Sequence, residues 1–106
     1  GDVYKRQQDG QLRLTASVAT QGGTRQLEGQ GNGLLSAAAH GLSRWINAPF
    51  VIKDYHEHTL GERSDSRSVA YIRCLFQDGT SRWGVGIDSD VARASIQALF
   101  NAVSHS

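Results

Sequence analysis

A short glycine motif followed by a helix-like stretch occurs twice in this chain, and this duplication constrains the fold more than any other feature. The first copy is Gly29-Gln30-Gly31-Asn32-Gly33, and the second is Trp83-Gly84-Val85-Gly86-Ile87. If the second loop carries two extra residues, Gly29 aligns with Gly84 and Ala37 aligns with Ala94. Because glycine reaches positive φ and lets another backbone come close, each motif is interpreted as a tight turn that launches a helix. The chain is therefore predicted to contain two strand-strand-strand-helix units.

The first unit shows a hairpin pattern and then a helical one. Alternating apolar residues between Gln11 and Val18 predict a strand with one buried face. A hairpin turn at Gln21–Gly23 is predicted to lead into a second, shorter strand at Thr24–Glu28. Apolar residues at helical spacing predict a helix from Leu34 to Ile46, ended by Pro49. Small residues in this helix allow it to lie close to a sheet.

The second unit follows the same plan with longer strands. The segment 66–77 is the strongest strand, since both of its faces are largely apolar. Asp88, Ser89 and Asp90 offer caps for the second helix. The predicted elements are strands over 50–60, 66–77 and 80–87, a charged loop over 61–65, and a helix to about 103.

These patterns predict an α+β fold of two pseudo-symmetric βββα units, with antiparallel sheets packed against two helices. Repeat one covers 10–48 and repeat two covers 49–106. Residues 1–9 are polar and without sustained periodicity, so they are interpreted as a linker, a tag remnant or a frayed end. The chain contains no methionine, which indicates a fragment of a larger protein. A domain this small buries a limited core, so dimerisation is expected to help it.

Composition excludes several classes of function. Eleven basic and ten acidic residues nearly cancel, so nothing indicates a nucleic-acid or anionic-membrane partner. No apolar run is long enough to span a bilayer. The single cysteine, Cys74, forms no internal disulfide, which predicts a reducing compartment, the cytoplasm. In its apolar alternation Cys74 is predicted to be a small core residue.

The clearest candidate for catalysis is a metal site at His56-Glu57-His58, with Asp54 nearby. His56 and His58 share one face of a strand, and imidazole and carboxylate groups suit zinc or manganese. However, no third ligand has suitable spacing, so surface or interface histidines on an edge strand are favoured over a metal-dependent enzyme. No nucleophile lies beside a base, and the glycines match neither a dinucleotide fingerprint nor a P-loop. The residues alone therefore favour a binding module whose helix N-termini receive carboxylates.

Several motifs, in order, resemble the C-terminal regulatory domain of 2-isopropylmalate synthase. They are Gly29-Gln30-Gly31-Asn32-Gly33, Asp54-Tyr55-His56-Glu57-His58, Asp65-Ser66, Trp83-Gly84-Val85-Gly86-Ile87 and Ala94-Ser95. The resemblance covers the chain from about Gln11 onward. It implies two βββα units that pack across a homodimer and bind L-leucine for feedback inhibition of leucine biosynthesis. It also implies a parent acyltransferase that joins acetyl-CoA to 2-oxoisovalerate in a separate catalytic barrel, with a divalent metal there and no cofactor in this domain.

The resemblance also implies which residues contact leucine. Backbone N–H groups at a helix start would hold its carboxylate, and an acidic side chain or carbonyls would hold its ammonium. The predicted ligand-binding residues are Gly31, Gly33, Leu35, Ser36, Ile52, Tyr55, Thr59, Ser66 and Asp88.

Three departures from the family pattern leave the effector open. Leu34 replaces a usual proline, and Thr59 and Ser66 replace common alanines. A larger or more polar lining can weaken leucine binding or change the effector. The alternatives are an isoleucine-sensing domain of a citramalate synthase and a structural dimerisation domain without a ligand.

Overall fold

The computed structural model describes residues 3–20, 22–61 and 66–104, which form six strands and two helices. The strands are β1 (Val3–Gln8), β2 (Gln11–Thr20), β3 (Gly23–Gly31), β4 (Phe50–Leu60), β5 (Arg67–Phe76) and β6 (Ser81–Asp88), and the helices are α1 (Leu34–Ile46) and α2 (Val91–Ser104). The chain divides into two compact units at Ala48 and Pro49. Each unit holds one three-stranded antiparallel sheet, in the order β1-β2-β3 or β4-β5-β6, and one helix. The predicted α+β fold of two βββα units is confirmed.

The prediction for the N-terminal segment was wrong. Residues 3–8 form β1, which pairs antiparallel with β2 from Val3 opposite Ala16 to Gln8 opposite Gln11. Asp9 and Gly10, both with positive φ, form the two-residue loop of this hairpin. The segment previously interpreted as a linker or tag remnant is therefore the third strand that completes the first unit.

The interpretation of the glycine motifs as turns was also wrong. Gly29 and Gly31 lie inside β3, and Gly84 and Gly86 lie inside β6, each with a helix packed directly on the strand. A Cβ atom on Gly29 would lie 2.0 Å from the carbonyl oxygen of Ala37, which is closer than Cβ atoms approach other atoms in real proteins. The glycines are required because the helix backbone touches the strand backbone, which confirms the prediction that small helix residues allow a close approach.

Corresponding residues of the two units are 57 positions apart. A Cβ atom on Gly29 would meet Ala37 O and Gly41 N, and one on Gly86 would meet Ala94 O and Ala98 N, in the same pattern. The helices begin at Leu34 and Val91, with the same separation. The sequence alignment of Gly29 with Gly84 was therefore out of register by two residues. The second loop carries no extra residues.

Each unit has its own apolar core between sheet and helix. In the first unit β2 and β3 bury Leu14 and Leu27 beneath α1. In the second unit β5 buries Ile72 and Cys74, and α2 buries Leu99. The remaining strand and helix predictions are confirmed within one or two residues, except that β3 continues three residues beyond the predicted end at Glu28. Cys74 is the core residue that its alternation predicts. The predicted loop lies outside the described residues from 62 to 65, as does Gln21 of the predicted turn.

Candidate functional site

Helix α1 begins without a side-chain cap. Its N-cap, Gly33, has extended backbone and carries no acceptor, and the first turn contains no acidic residue. Ser36 Oγ accepts the Gly33 N–H at 3.0 Å and donates to the Gly33 carbonyl at 3.1 Å. Among the described residues, no side chain accepts a hydrogen bond from the N–H groups of Leu34 and Leu35. These donors and the helix dipole can receive a small anion.

Helix α2 begins at the equivalent place with one of its first N–H donors already occupied by a side chain. Asp90, 57 positions after Gly33, accepts the Ala92 N–H through Oδ1 at 2.9 Å. Asp88 Oδ1 in turn accepts the Asp90 N–H at 2.9 Å. The predicted capping role is confirmed for Asp90, whereas Asp88 accepts the N–H of the cap residue itself. The two helix starts differ in electrostatics because, among the described residues, a carboxylate of the chain itself fills only the second one.

The four predicted ligand residues of the first unit lie together around the start of α1. Gly31 is the last residue of β3, and a Cβ atom there would lie 2.5 Å from Ser36 Oγ and 2.9 Å from Ala37 N. Among the described residues, no atom lies within 4 Å of a Cβ atom placed on Gly33. Leu35 is half-buried in the first helical turn. Gly31 therefore serves close packing, whereas Gly33 faces open space.

The predicted residues of the second unit lie on or beside the sheet face that α2 covers. Thr59 is opposite Ser68, and Ser68 is opposite Asp88, so these three form one row across the sheet. Ser66 directly precedes β5. Ile52 is opposite Cys74, seven residues before Thr59 on β4, which is roughly 20 Å at the usual rise. The structure brings Thr59 and Asp88 into one row, and it separates Ile52 from them by more than the length of a leucine molecule.

Tyr55 connects β4 to α2 through its hydroxyl. The hydroxyl donates to Glu57 Oε2 and shares a 3.0 Å hydrogen bond with Ser95 Oγ, the one polar side chain among the buried described residues. Burial and the neighbouring Glu57 raise the pKa of Tyr55. The sequence prediction of site residues did not include Ser68, Glu57 or Ser95, although Ser95 belonged to a quoted motif. A buried serine in a helix stripe was the available signal, since such a hydroxyl needs a partner.

The histidine pair lies on the sheet face away from α2. His56 stacks on Trp83 with ring centroids 6.4 Å apart, and His58 contacts Tyr71 at 5.4 Å. Asp54 is engaged in an ion pair with Arg73. Among the described residues, no group of three or more His, Cys, Asp or Glu side chains is placed to hold a metal ion. Neither described helix combines the length and the apolar character that crossing a membrane requires.

The first unit also carries an open polar cavity of about 440 Å³. Its lining includes Arg6, Arg13, Arg44 and Glu28. None of the nine predicted ligand residues lines this cavity. The predicted ligand residues of the first unit and this cavity are therefore different parts of that unit.

The fold and these sites define a duplicated βββα module with one helix start open to an anion and one closed by its own carboxylate. Residues 3–106 match the family model described as the LeuA allosteric (dimerisation) domain. The chain belongs to this family.

Relatives carry the name 2-isopropylmalate synthase. The chain is 40% identical to the Marinomonas sp. protein over 95% of the chain and 18% of that protein. It is 38% identical to the Rhodospirillum rubrum protein over 87% of the chain and 16% of that protein. It is 42% identical to the Schizosaccharomyces pombe protein over 74% of the chain and 13% of that protein. The chain thus spans less than a fifth of the length of these relatives.

Proposed function

We propose that this chain is the allosteric regulatory domain of a 2-isopropylmalate synthase, that it binds L-leucine and that it dimerises. Membership of the LeuA allosteric (dimerisation) domain family supports this, as does the name shared by its relatives. Leucine binding would serve feedback inhibition of leucine biosynthesis. The acyl transfer from acetyl-CoA to 2-oxoisovalerate belongs, in this proposal, to the catalytic barrel of the parent protein.

The observation that carries the binding proposal is the uncapped start of α1. A leucine carboxylate at the N–H groups of Leu34 and Leu35 would supply the acceptors that Gly33 lacks. Charge-assisted hydrogen bonds of this kind contribute about 1.5–3 kcal/mol each. Gly31 and Ser36 shape the same turn.

The predicted ligand residues of the second unit are each open to a separate substitution, and they are Ile52, Tyr55, Thr59, Ser66 and Asp88. Asp88 is the acidic side chain of this set, and among the described residues its carboxylate accepts one hydrogen bond, from the Asp90 N–H.

The decisive experiment is calorimetric titration of leucine into Gly33→Asp and Gly33→Ala variants. Aspartate at position 33 copies Asp90, its equivalent on α2, so its carboxylate would cap α1 and occupy the anion site. We expect leucine affinity to fall at least tenfold in Gly33→Asp, while Gly33→Ala retains binding because no atom of the described part of the chain lies within 4 Å of a Cβ atom there. Gly31→Asp is a poor test, since its side chain would collide with Ser36 and Ala37.

The titration distinguishes the alternatives. Unchanged leucine affinity in a folded Gly33→Asp variant would contradict the carboxylate assignment. A wild-type chain that prefers isoleucine over leucine and valine would indicate a citramalate synthase instead. A dimer that binds none of the three would be a structural dimerisation domain without a ligand.

A further inference from the structure

The sheet of the second unit has an open face rich in exposed apolar and aromatic side chains. Strand alternation turns Gly84 and Gly86 toward α2 and Trp83, Val85 and Ile87 away from it. These three side chains are 52%, 43% and 44% exposed. We define the aromatic face by these residues and their neighbours on β4 and β5, namely Val51, Leu60, Tyr71, Leu75, Trp83, Val85 and Ile87.

We propose that the aromatic face is the surface on which a second copy of this chain docks. The inference rests on the dimerisation half of the proposed function, and it names the surface that performs it. Exposed apolar residues grouped in this way mark an interaction site, and tryptophan and tyrosine are the residues that most often anchor one.

The charge of the aromatic face suits a partner that is identical to itself. Asp54 and Arg73 lie on this face and neutralise each other in an ion pair, which leaves Lys53 at the register shift of β4 and Arg67 at the far end of β5. In a symmetric dimer each patch meets its own copy, so uncompensated charge of one sign repels. The middle of the aromatic face carries no such charge.

The equivalent face of the first unit has the opposite character. Arg6 and Arg13 lie directly opposite each other on β1 and β2. Gln26 and Glu28 occupy the positions on β3 that correspond to Trp83 and Val85 on β6, each 57 residues earlier. Two copies of that polar face would bring four arginines together, so it is not a suitable surface for self-association.

Strand addition at the edge of β6 is already blocked by the helix. The Ile87 N–H donates to Gln97 Oε1 at 3.1 Å, and the Val85 carbonyl accepts a hydrogen bond from Asn101 Nδ2 at 2.8 Å. These side chains occupy backbone groups that a new strand would need. On β4 the register shifts between Ile52 and Asp54, which interrupts that edge too. Association is therefore directed to the face of the sheet.

The test is analytical ultracentrifugation of the Trp83→Gln/Val85→Glu double variant. We expect both substitutions to leave the fold of the second unit intact, since the first unit has a glutamine and a glutamate at the equivalent strand positions. We expect the dimer dissociation constant to rise at least 30-fold, as for loss of an interface anchor. The matched control is Gln26→Glu on the first unit, which we expect to leave the dissociation constant within threefold. Circular dichroism of each variant checks the fold.

The outcomes separate this inference from the proposed function. Wild-type chain that stays monomeric would refute dimerisation itself, whereas a dimer that survives the double substitution would refute only this surface. A third readout is Trp83 fluorescence in a Trp45→Phe background, whose emission should shift to longer wavelength on dilution as the dimer dissociates. If Trp83 is shielded from solvent in a monomer and its emission does not change on dilution, another segment of the protein covers the aromatic face, and the proposal is overturned. Leucine titration reports on binding in every case.

Discussion

Replacing Gly84 by alanine is expected to destabilise the second unit by about 2–3 kcal/mol. The added Cβ atom would lie 2.0 Å from Ala98 O and 2.4 Å from Ala102 N, both backbone atoms of α2. No side-chain rotation relieves such a contact, so α2 must move away by about 1 Å or more. Overpacking of this kind costs about 1–3 kcal/mol, and the shift also forfeits a quarter to a half of each dispersion contact it opens. The better strand propensity of alanine offsets about 0.5–1 kcal/mol.

The assay is denaturant unfolding followed by circular dichroism at one fixed protein concentration, because dimerisation couples to apparent stability. The expected loss corresponds to a fall in melting temperature of roughly 10–20 °C for a domain of this size. Gly33→Ala is the matched control, since its backbone is extended and, within the residues that the structure describes, no atom lies within 4 Å of the added Cβ. We expect the control to stay within about 1 kcal/mol of wild type.

A Gly84→Ala variant within 0.5 kcal/mol of wild type would refute the reasoning. It would mean that α2 does not rest on the backbone of β6, or that the second unit absorbs the shift without cost. Equal losses in Gly84→Ala and Gly33→Ala would refute it as well, because the effect would then follow from glycine replacement in general and not from the helix contact.

Three further predictions concern single contacts. His40 Nδ1 accepts a hydrogen bond from the backbone N–H of Gln30, as Gln97 Oε1 does from Ile87 in the second unit. In urea unfolding, the free energy of unfolding of His40→Gln should therefore stay near that of wild type, while His40→Leu should lose about 0.5–1 kcal/mol. Burial raises the pKa of Cys74 to about 11 from an ordinary 9.0 and leaves the thiol unexposed, so a thiol reagent at pH 8 should react only after denaturation. The unfolded chain loses this proton first, so the free energy of unfolding should fall as the pH rises from about 9 to 11. Tyr55→Phe should cost more stability than Ser95→Ala, because it leaves the buried Ser95 hydroxyl without a partner, and a double-mutant cycle measures the coupling.

The helix boundaries could be predicted because local chemistry determines them. Apolar spacing and a proline after the last turn fix α1, and α2 follows two aspartates, one of which caps it. The strand β1 could not be predicted from alternation, since its side chains are mostly polar and exposed and its pairing with β2 supplies its stability. One signal was present, because Asp9-Gly10 is a favourable two-residue hairpin loop, like Asp78-Gly79 later in the chain.

The role of the glycine motifs depends on packing that the sequence does not display. Gly29 and Gly31 fit a turn as well as a strand by conformational preference alone. Only the presence of Ala37 and Gly41 at helical spacing, above the strand, distinguishes a glycine that admits a helix from one that bends the chain. The same packing explains why the repeat register, read from glycines alone, was out by two residues.

The two units keep the same helix-on-glycine packing and differ where function is proposed. Position 33 is glycine where its equivalent, position 90, is an aspartate that caps its own helix. Position 85 is an exposed valine where its equivalent, position 28, is a glutamate. Gly33→Asp and Val85→Glu therefore each transfer to one unit a residue that the other already carries at the same place in the fold. Because the shared fold accommodates both residues, loss of leucine binding in the first variant, or of dimerisation in the second, reports on the altered site and not on misfolding.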